Sequence, residues 1–236
     1  KSLSGLGAEV IELPSIDLVP YEQNEPLQTA LEDIVSYQWV AFTSAMGVRF
    51  FFDFLQKNRV DVRRLSHLRF AVIGQGTRDE LAKHGIFADL MPSSYYAKDL
   101  AQALCQTMQK GQRVLLPRAR IGSKDLTDIL TQNGIEFTDV ALYDTIYQSH
   151  NTHAVEKMID DGQVSCAVFT SASTVRGFAA TMQGKDLSLL TAACIGEKTA
   201  QAAKEYNMKV MIAKEATIDS VTQMLVEHAD ELRLNR

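Results

Sequence analysis

The feature that most constrains the fold of this chain is that part of it occurs twice. Phe42-Thr-Ser-Ala-Met-Gly-Val-Arg-Phe-Phe51 aligns with Phe169-Thr-Ser-Ala-Ser-Thr-Val-Arg-Gly-Phe178, with seven identities in ten positions at a shift of 127. Ile73-Gly-Gln-Gly-Thr77 aligns likewise with Ile195-Gly-Glu-Lys-Thr199 at a shift of 122. Each copy sits where a short apolar run gives way to a helical period, so each marks the C-terminal end of a strand that feeds a helix. Two copies of one architecture are expected, each with a Thr-Ser turn and an Ile-Gly-x-x-Thr turn.

Apolar runs at 39–43, 69–73, 88–91, 113–117 and 136–143 read as strands, and periodic segments at 46–56, 77–84, 98–109 and 123–132 read as helices. A second series has strands at 164–170, 192–195 and 209–212, with helices at 174–182, 198–206 and 219–229. Continuous apolar strands alternating with helices give βα units, whose parallel sheets are covered on both faces. The predicted fold class is α/β, as two similar open parallel-sheet domains joined by a two-stranded linker.

The shift of 127 places Leu3, Gly7 and Glu9 opposite Leu130, Gly134 and Glu136, so residues 1–13 read as the end of a helix and the strand after it. The strand and helix matching 113–129 have no counterpart before them. A sheet without that strand exposes an unpaired edge, so the natural polypeptide is expected to begin about 15–20 residues earlier. The domains are then discontinuous: 1–18 with 146–236 form one, 36–143 the other, and the chain crosses between them within 15–35 and 141–147. Segments 15–22 and 141–147 can pair as a short antiparallel ladder, and so narrow a bridge lets two domains tilt.

Composition narrows the function classes. The 236 residues are 46% hydrophobic and 22% charged, as in a globular protein. No apolar run reaches the ~20 residues of a membrane span, and residues 1–18 lack a signal peptide's layout, so a cytoplasmic, membrane-free setting is expected. Cys105, Cys166 and Cys194 match no zinc spacing and read as small core residues in a reducing compartment. A formal charge of −5 argues against a nucleic-acid binder. The five histidines are scattered, His150 and His153 lie in a polar stretch without a third ligand, and no metal site is expected.

Ligands of open α/β sheets collect at strand C-termini, where loops converge with helix N-termini. Thr43, Ser44, Ala45 and Met46 occupy that place in one half, and Ser171, Ala172, Ser173 and Thr174 in the other. Ser44 and Ser171 can cap the helices that follow, which is their bland reading, while free N–H groups of the first turn can receive a carboxylate. Gly76 and Thr77 in one half, and Gly196, Lys198 and Thr199 in the other, open the second helix of each pair in the same manner. The dinucleotide reading of 74–79 fails because the third glycine of GxGxxG is missing, and no GxxxxGK[ST] loop occurs. Arg118 and Arg120 follow Pro117 at a strand end, as cleft cations for carboxylates or as an ordinary solvated loop. Arg49 and Arg176 recur one turn into their helices. Tyr143, at the crossing Leu142-Tyr-Asp-Thr-Ile-Tyr147, is either a half-buried linker residue or a proton donor.

In order and spacing these pieces resemble uroporphyrinogen-III synthases over nearly the whole chain. The family's Thr-Ser-x-Asn-Gly-Val turn is matched by Thr43–Val48, its Gly-x-x-Thr by Gly74–Thr77 and its Tyr-x-Thr by Tyr143–Thr145. Phe169–Val175, Ile195–Ala200 and Ala213–Ser220 match the second-half motifs. Met46 stands where the family usually has Asn, and the family's strand ending in Thr-Arg-Pro has no counterpart.

The resemblance implies a lyase without metal or organic cofactor. Its substrate is hydroxymethylbilane, a linear tetrapyrrole with eight carboxylates, cyclised with loss of water and inversion of the last pyrrole. It further implies a monomer that transiently contacts the upstream bilane-forming enzyme. Tyr143 is the implied donor to the departing hydroxyl. Backbone N–H groups at the turns, with Arg118 and Lys198, are the implied carboxylate partners. The alternative reading is a two-domain binding module that closes on a small anion without chemistry.

Overall fold

The computed structural model describes residues 2–147 and 152–234, in which apolar runs and helical periods alternate as α/β units. The first elements are α1 (Ser2–Gly5), β1 (Ile16–Pro20), α2 (Glu25–Glu32), β2 (Trp39–Phe42), α3 (Ala45–Lys57), β3 (Arg69–Val72) and α4 (Gln75–Ala82). Next come α5 (Ala97–Thr107), β4 (Arg113–Ala119), α6 (Lys124–Gln132), β5 (Glu136–Tyr147) and α7 (His153–Asp160). The chain continues through β6 (Ala167–Phe169), α8 (Ala172–Thr181), β7 (Thr191–Cys194), α9 (Glu197–Lys204), β8 (Lys209–Ile212), α10 (Ile218–Glu227) and α11 (Ala229–Leu234). Two compact units result, one of Lys1–Asp17 with Ile146–Arg236 and one of Leu18–Thr145.

The Leu18–Thr145 unit is built on a five-stranded sheet of order β1-β5-β4-β2-β3, in which β2 pairs in parallel with β3 and β4, and β4 with β5. The strand period of two explains the cover on both faces. Val40, Phe42, Phe70, Val72 and Leu115 meet Leu27 and Leu31 of α2, Phe51 and Leu55 of α3 and Leu81 of α4. Their neighbours Trp39, Ala41, Ala71, Val114 and Leu116 meet Leu100 and Leu104 of α5 and Leu126 and Leu130 of α6. Each fully buried side chain of this size stabilises the unit by roughly 1.5–3 kcal/mol.

Two details of this unit differ from the sequence reading. Residues 15–35 are not a bare crossing, because Asn24 starts α2 by accepting the Leu27 N–H at 3.0 Å while its amide donates to the Ala141 carbonyl at 2.7 Å. The run at 88–91 makes only an isolated bridge, Ala71 to Leu90. There the Asp89 carboxylate accepts the Phe70 N–H at 2.7 Å, a donor that a regular ladder would pair with a carbonyl, and Pro92 offers no N–H to extend it.

The other unit carries a three-stranded parallel sheet, β6-β7-β8. One core gathers Phe169, Ala192 and Cys194 with Val175 and Phe178 of α8, Met182 just after it, and Ala200 and Ala203 of α9. A second gathers Ala193 with Val221, Met224 and Leu225 of α10 and Leu232 of α11, with Leu3 packed against it. Residues 8–13 form no strand: the described residues offer them no ladder partner, and an extended backbone without one is not held as a strand. The chain is instead anchored farther on, where the Ser15 hydroxyl donates to the Thr174 carbonyl at 3.3 Å. Gly177 lets the two segments approach, since a Cβ there would lie 2.4 Å from the Ser15 carbonyl oxygen.

Among the described residues no helix is long and apolar enough to cross a membrane, and no group of three or more His, Cys, Asp or Glu gathers as metal ligands. His150 lies outside the described residues.

Candidate active site

Because β2, β3, β4 and β5 are parallel, their C-terminal ends share one edge of the sheet. At the end of β2, Ser44 turns extended, with φ −158° and ψ 153°, and its Oγ accepts the Gly47 N–H at 3.0 Å. This caps α3 and satisfies one of the four N–H groups that a helix start leaves unpaired. Gly47 is buried where α3 crosses the end of β4, and a Cβ would sit 3.2 Å from the Pro117 carbonyl.

Tyr143 reaches this turn from β5. Its hydroxyl lies 3.2 Å from Ser44 Oγ, and its ring packs on Phe50 at a centroid separation of 5.0 Å. A strand that alternated regularly would send Leu142 and Tyr143 to opposite faces. Here both belong to the core beneath α3, because the β4–β5 ladder steps from Arg118–Ala141 to Ala119–Tyr143 and skips Leu142. The bulge also turns the Ala141 and Leu142 carbonyls in succession to Asn24 and Tyr21, and the Tyr143 carbonyl to the Arg120 N–H. Bulges commonly re-aim a side chain in this manner.

Tyr143 is buried, and desolvation raises its pKa above the ordinary value of 10.0, while the Ser44 hydrogen bond pulls weakly the other way. The phenol is therefore fully protonated at neutral pH. With Ser44 as donor to Tyr143 Oη, the tyrosine's own proton is left for a third partner.

The start of α4 lies at the next strand end. Gly74, with φ 77°, makes the turn, and the Tyr95 ring covers it so closely that a Cβ would fall 2.7 Å from a ring carbon. No side chain caps α4, Gly76 is exposed and Thr77 is buried one position farther. Arg49 of α3 pairs with the nearly buried Glu80 of α4 at 3.3 Å, and Lys83 shares that carboxylate at 2.6 Å. These two cations hold the Glu80 carboxyl below the usual carboxylate range, with the Lys83 hydrogen bond the largest cause. Arg49 thus spends part of its guanidinium on the contact between α3 and α4. Thr43, Ala45 and Met46 are partly exposed around the turn, with Met46 against the apolar core.

Arg118 is a correction. Its side chain is only 8% exposed, its Nε and Nη2 hold Asp139 at 2.8 and 2.5 Å, and its Nη1 donates to the Ser123 carbonyl at 2.7 Å. Gly122 makes room for it. All three nitrogens are engaged inside the protein, so this guanidinium is not presented to a ligand. Sequence inspection misses this because Asp139 lies 21 residues away on the paired strand.

In the other unit, Ser171 and Thr174 form a reciprocal capping box on α8. The Ser171 hydroxyl accepts the Thr174 N–H at 3.2 Å, and Thr174 Oγ1 donates to the Ser171 carbonyl at 2.7 Å. Ala172 and Ser173 are partly exposed beside them. Gly196 caps α9 without a side chain, Lys198 is exposed and Thr199 is buried.

Phe50, as the platform for the Tyr143 ring, and the Ser44–Tyr143 bond were not readable as a site from either segment alone. The one available signal was that Tyr143 interrupts an apolar strand with a hydroxyl close to the crossing.

Comparison with known proteins bears on the family and the fold. The family model described as "Uroporphyrinogen-III synthase HemD" matches residues 1–223. A porphyrin biosynthesis protein HemD of Ruminiclostridium josui is 40% identical over 96% of this chain, and the chain spans 45% of that protein's length. A uroporphyrinogen-III synthase of Synechococcus elongatus is 30% identical over 93% of this chain and 86% of the relative. In fold, a mutant uroporphyrinogen III synthase from Thermus thermophilus superposes with a TM-score of 0.70, covering 99% of this chain and 93% of its own at 15% identity. The Helicobacter pylori uroporphyrinogen-III synthetase gives a TM-score of 0.64, covering 94% of this chain and 95% of its own at 18% identity. The family match over 223 residues, joined to a relative at 30% identity covered for most of its length, decides the matter: the chain belongs to the uroporphyrinogen-III synthase family.

Proposed function

We propose that this chain is a lyase that closes hydroxymethylbilane into uroporphyrinogen III with loss of one water, and that Tyr143 assists departure of the hydroxyl. The observation that carries the role of Tyr143 is a buried phenol, aimed by a bulge, beside a serine fixed as a helix cap. A hydroxyl leaves poorly until it receives a proton or a strong hydrogen bond. A pyrrole nitrogen pushes electrons as the C–O bond breaks, the leaving oxygen takes the tyrosine proton, and water departs. The resulting cation is attacked by a carbon of the terminal pyrrole, giving a spiro intermediate that reopens and closes with that ring inverted. The proton finally lost from carbon restores the phenol, so the sum is substrate to product plus water.

A raised pKa makes Tyr143 a weak acid but a reliably protonated one, which suits hydrogen-bond donation in the transition state. Ordering the chain for closure at the inverted carbon is the larger task, supplied by position. The three cysteines are free of disulfides, which suits a reducing, cytoplasmic compartment.

The test is cyclisation of enzymatically made hydroxymethylbilane, with type III and type I products separated. Tyr143→Phe keeps the ring on Phe50 and is expected to fold normally while kcat drops by roughly 10²–10⁴-fold. A folded variant that keeps more than about a third of normal kcat removes Tyr143 from the donor role. The product is expected to remain type III.

A further inference from the structure

The basic segment at the end of β4 offers two guanidinium groups, and the fold treats them oppositely. Arg118 is enclosed, and each of its three guanidinium nitrogens donates a hydrogen bond within the protein. Arg120, just past β4, has a side chain 61% exposed, and among the described residues only two of its three guanidinium nitrogens are engaged. Nε donates to the Tyr21 hydroxyl at 2.5 Å and Nη2 to Asp144 Oδ2 at 2.9 Å, while Tyr21 itself donates to Asp144 at 2.6 Å. The guanidinium also rests 5.2 Å from the centroid of the Tyr21 ring. At its other end the Arg120 backbone N–H is fixed to the Tyr143 carbonyl at 3.0 Å. The cation is therefore held from both ends, beside the residue that carries the chemistry.

We propose that Arg120 binds a carboxylate of the substrate, with Tyr21 as the positioning residue that holds the guanidinium and Asp144 as the counter-ion that the ligand displaces from Nη2. This rests on the reading of the chain as a synthase for an octacarboxylate. Tyr143, Arg120 and Ser44 belong to three adjacent strand ends, β5, β4 and β2, and neighbouring strands lie about 4.8 Å apart. A substrate that meets Tyr143 thus has Arg120 within the reach of an acid side arm.

Nη1 and Nη2 form the edge that accepts a carboxylate as two parallel N–H···O bonds. When Nη2 turns to the ligand, Asp144 keeps the hydrogen bond from Tyr21, so no acceptor is stranded. In the free protein Asp144 neutralises Arg120 and competes with the ligand for it. That competition gives the proposal a sign by which it differs from an ordinary structural ion pair.

The experiment compares wild type, Arg120→Gln, Arg120→Lys and Asp144→Asn by KM and kcat for hydroxymethylbilane at low and high salt, and by equilibrium titration with uroporphyrin III, an octacarboxylate. Arg120→Gln is expected to raise KM about tenfold at low salt, the size of one charge-assisted hydrogen bond, with kcat nearly unchanged. The increase should shrink at high salt, because the contact is exposed and screened. Arg120→Lys is expected to fall between, having the charge without the fork. Asp144→Asn is expected to lower KM, because it releases Arg120 to the ligand.

A KM that rises equally in Arg120→Gln and Asp144→Asn, or stays unchanged in both while Tm falls, overturns the proposal and leaves a structural pair. If Arg120→Gln fails to fold, the direction of the Asp144→Asn change decides alone. A wild type that binds uroporphyrin III but never cyclises the bilane refutes the synthase reading, and the titration of the four proteins still ranks Arg120. Identical uroporphyrin affinities across them overturn it.

Discussion

The turn from β2 into α3 and the turn from β6 into α8 share Phe-Thr-Ser-Ala and the Val-Arg that follows, yet they hold different neighbours. Their three differing positions are Met46, Gly47 and Phe50 in one copy and Ser173, Thr174 and Gly177 in the other. Where Gly47 admits the Pro117 carbonyl, Thr174 closes a capping box. Where Phe50 supports the Tyr143 ring, Gly177 makes space for the backbone at Ser15. The Ser44 hydroxyl is consequently shared with a buried phenol, whereas Ser171 is occupied by its own helix. Shared residues build the strand, the turn and the cap, and the differing ones decide whether the cap also bonds a buried tyrosine.

The largest test of this contrast is steric. Gly177→Ala drives a Cβ to 2.4 Å from a backbone oxygen, which cannot swing aside as a side-chain tip can. Overpacking of this kind costs about 1–3 kcal/mol, so Tm is expected to fall by roughly 5 °C. Gly47→Ala meets the Pro117 oxygen at 3.2 Å, and the better helix propensity of alanine offsets a few tenths of an ångström of adjustment. Its Tm is expected to change little. Equal losses in the two variants would show that the copies make the same demand for glycine.

The repeat made the α/β alternation and the strand-end turns legible, because apolar period and turn chemistry are local properties. The bulge at Leu142 was not, since a skipped residue exists only relative to the partner strand. Nor could the sequence tell which of Arg118 and Arg120 would be enclosed: both follow the same strand, and the deciding partners are Asp139 and Asp144 on its neighbour. Helix α2 is not legible within the crossing at 15–35, although Pro26 suits the first turn of a helix, where a proline is well tolerated. Tyr143 was visible as a candidate through its place near the crossing and through the Tyr-x-Thr run that resembles the family's.

A smaller effect separates the two serines. Ser44→Ala and Ser171→Ala each remove a helix cap, worth about 1 kcal/mol, and both are expected to lower Tm by a few degrees. Ser44→Ala also takes away the hydrogen-bond partner of Tyr143 and is expected to lower kcat about fivefold, near the value of one neutral hydrogen bond. Ser171→Ala is expected to stay within twofold of wild-type kcat, its hydroxyl being engaged by Thr174. Equal kcat in both variants would mean that the Ser44–Tyr143 contact has no bearing on turnover.

The smallest effect within the working pH range concerns one buried acidic proton in each unit. Desolvation raises the pKa of Tyr143 from 10.0, and it raises that of Cys194, at the end of β7, from 9.0 to about 11. Both groups hold their proton more tightly folded than unfolded. The stabilisation due to Cys194 is therefore complete below about pH 9, the unfolded value, and is lost as pH rises through about 11. That of Tyr143 is complete below pH 10 and declines above it. Their readouts differ, because the proposed mechanism uses the phenol and not the thiol. Wild-type kcat is expected to keep its Tyr143 contribution up to pH 10 and lose it beyond, and the residual activity of Tyr143→Phe should lack that alkaline limb. Cys194→Ala is expected to leave the kcat limb in place and to flatten the decline of stability between pH 9 and 11, measured by urea unfolding at each pH. If Cys194→Ala instead shifted the kcat limb, the two protons would be coupled, and the separation of a chemical from a structural role between the units would fail.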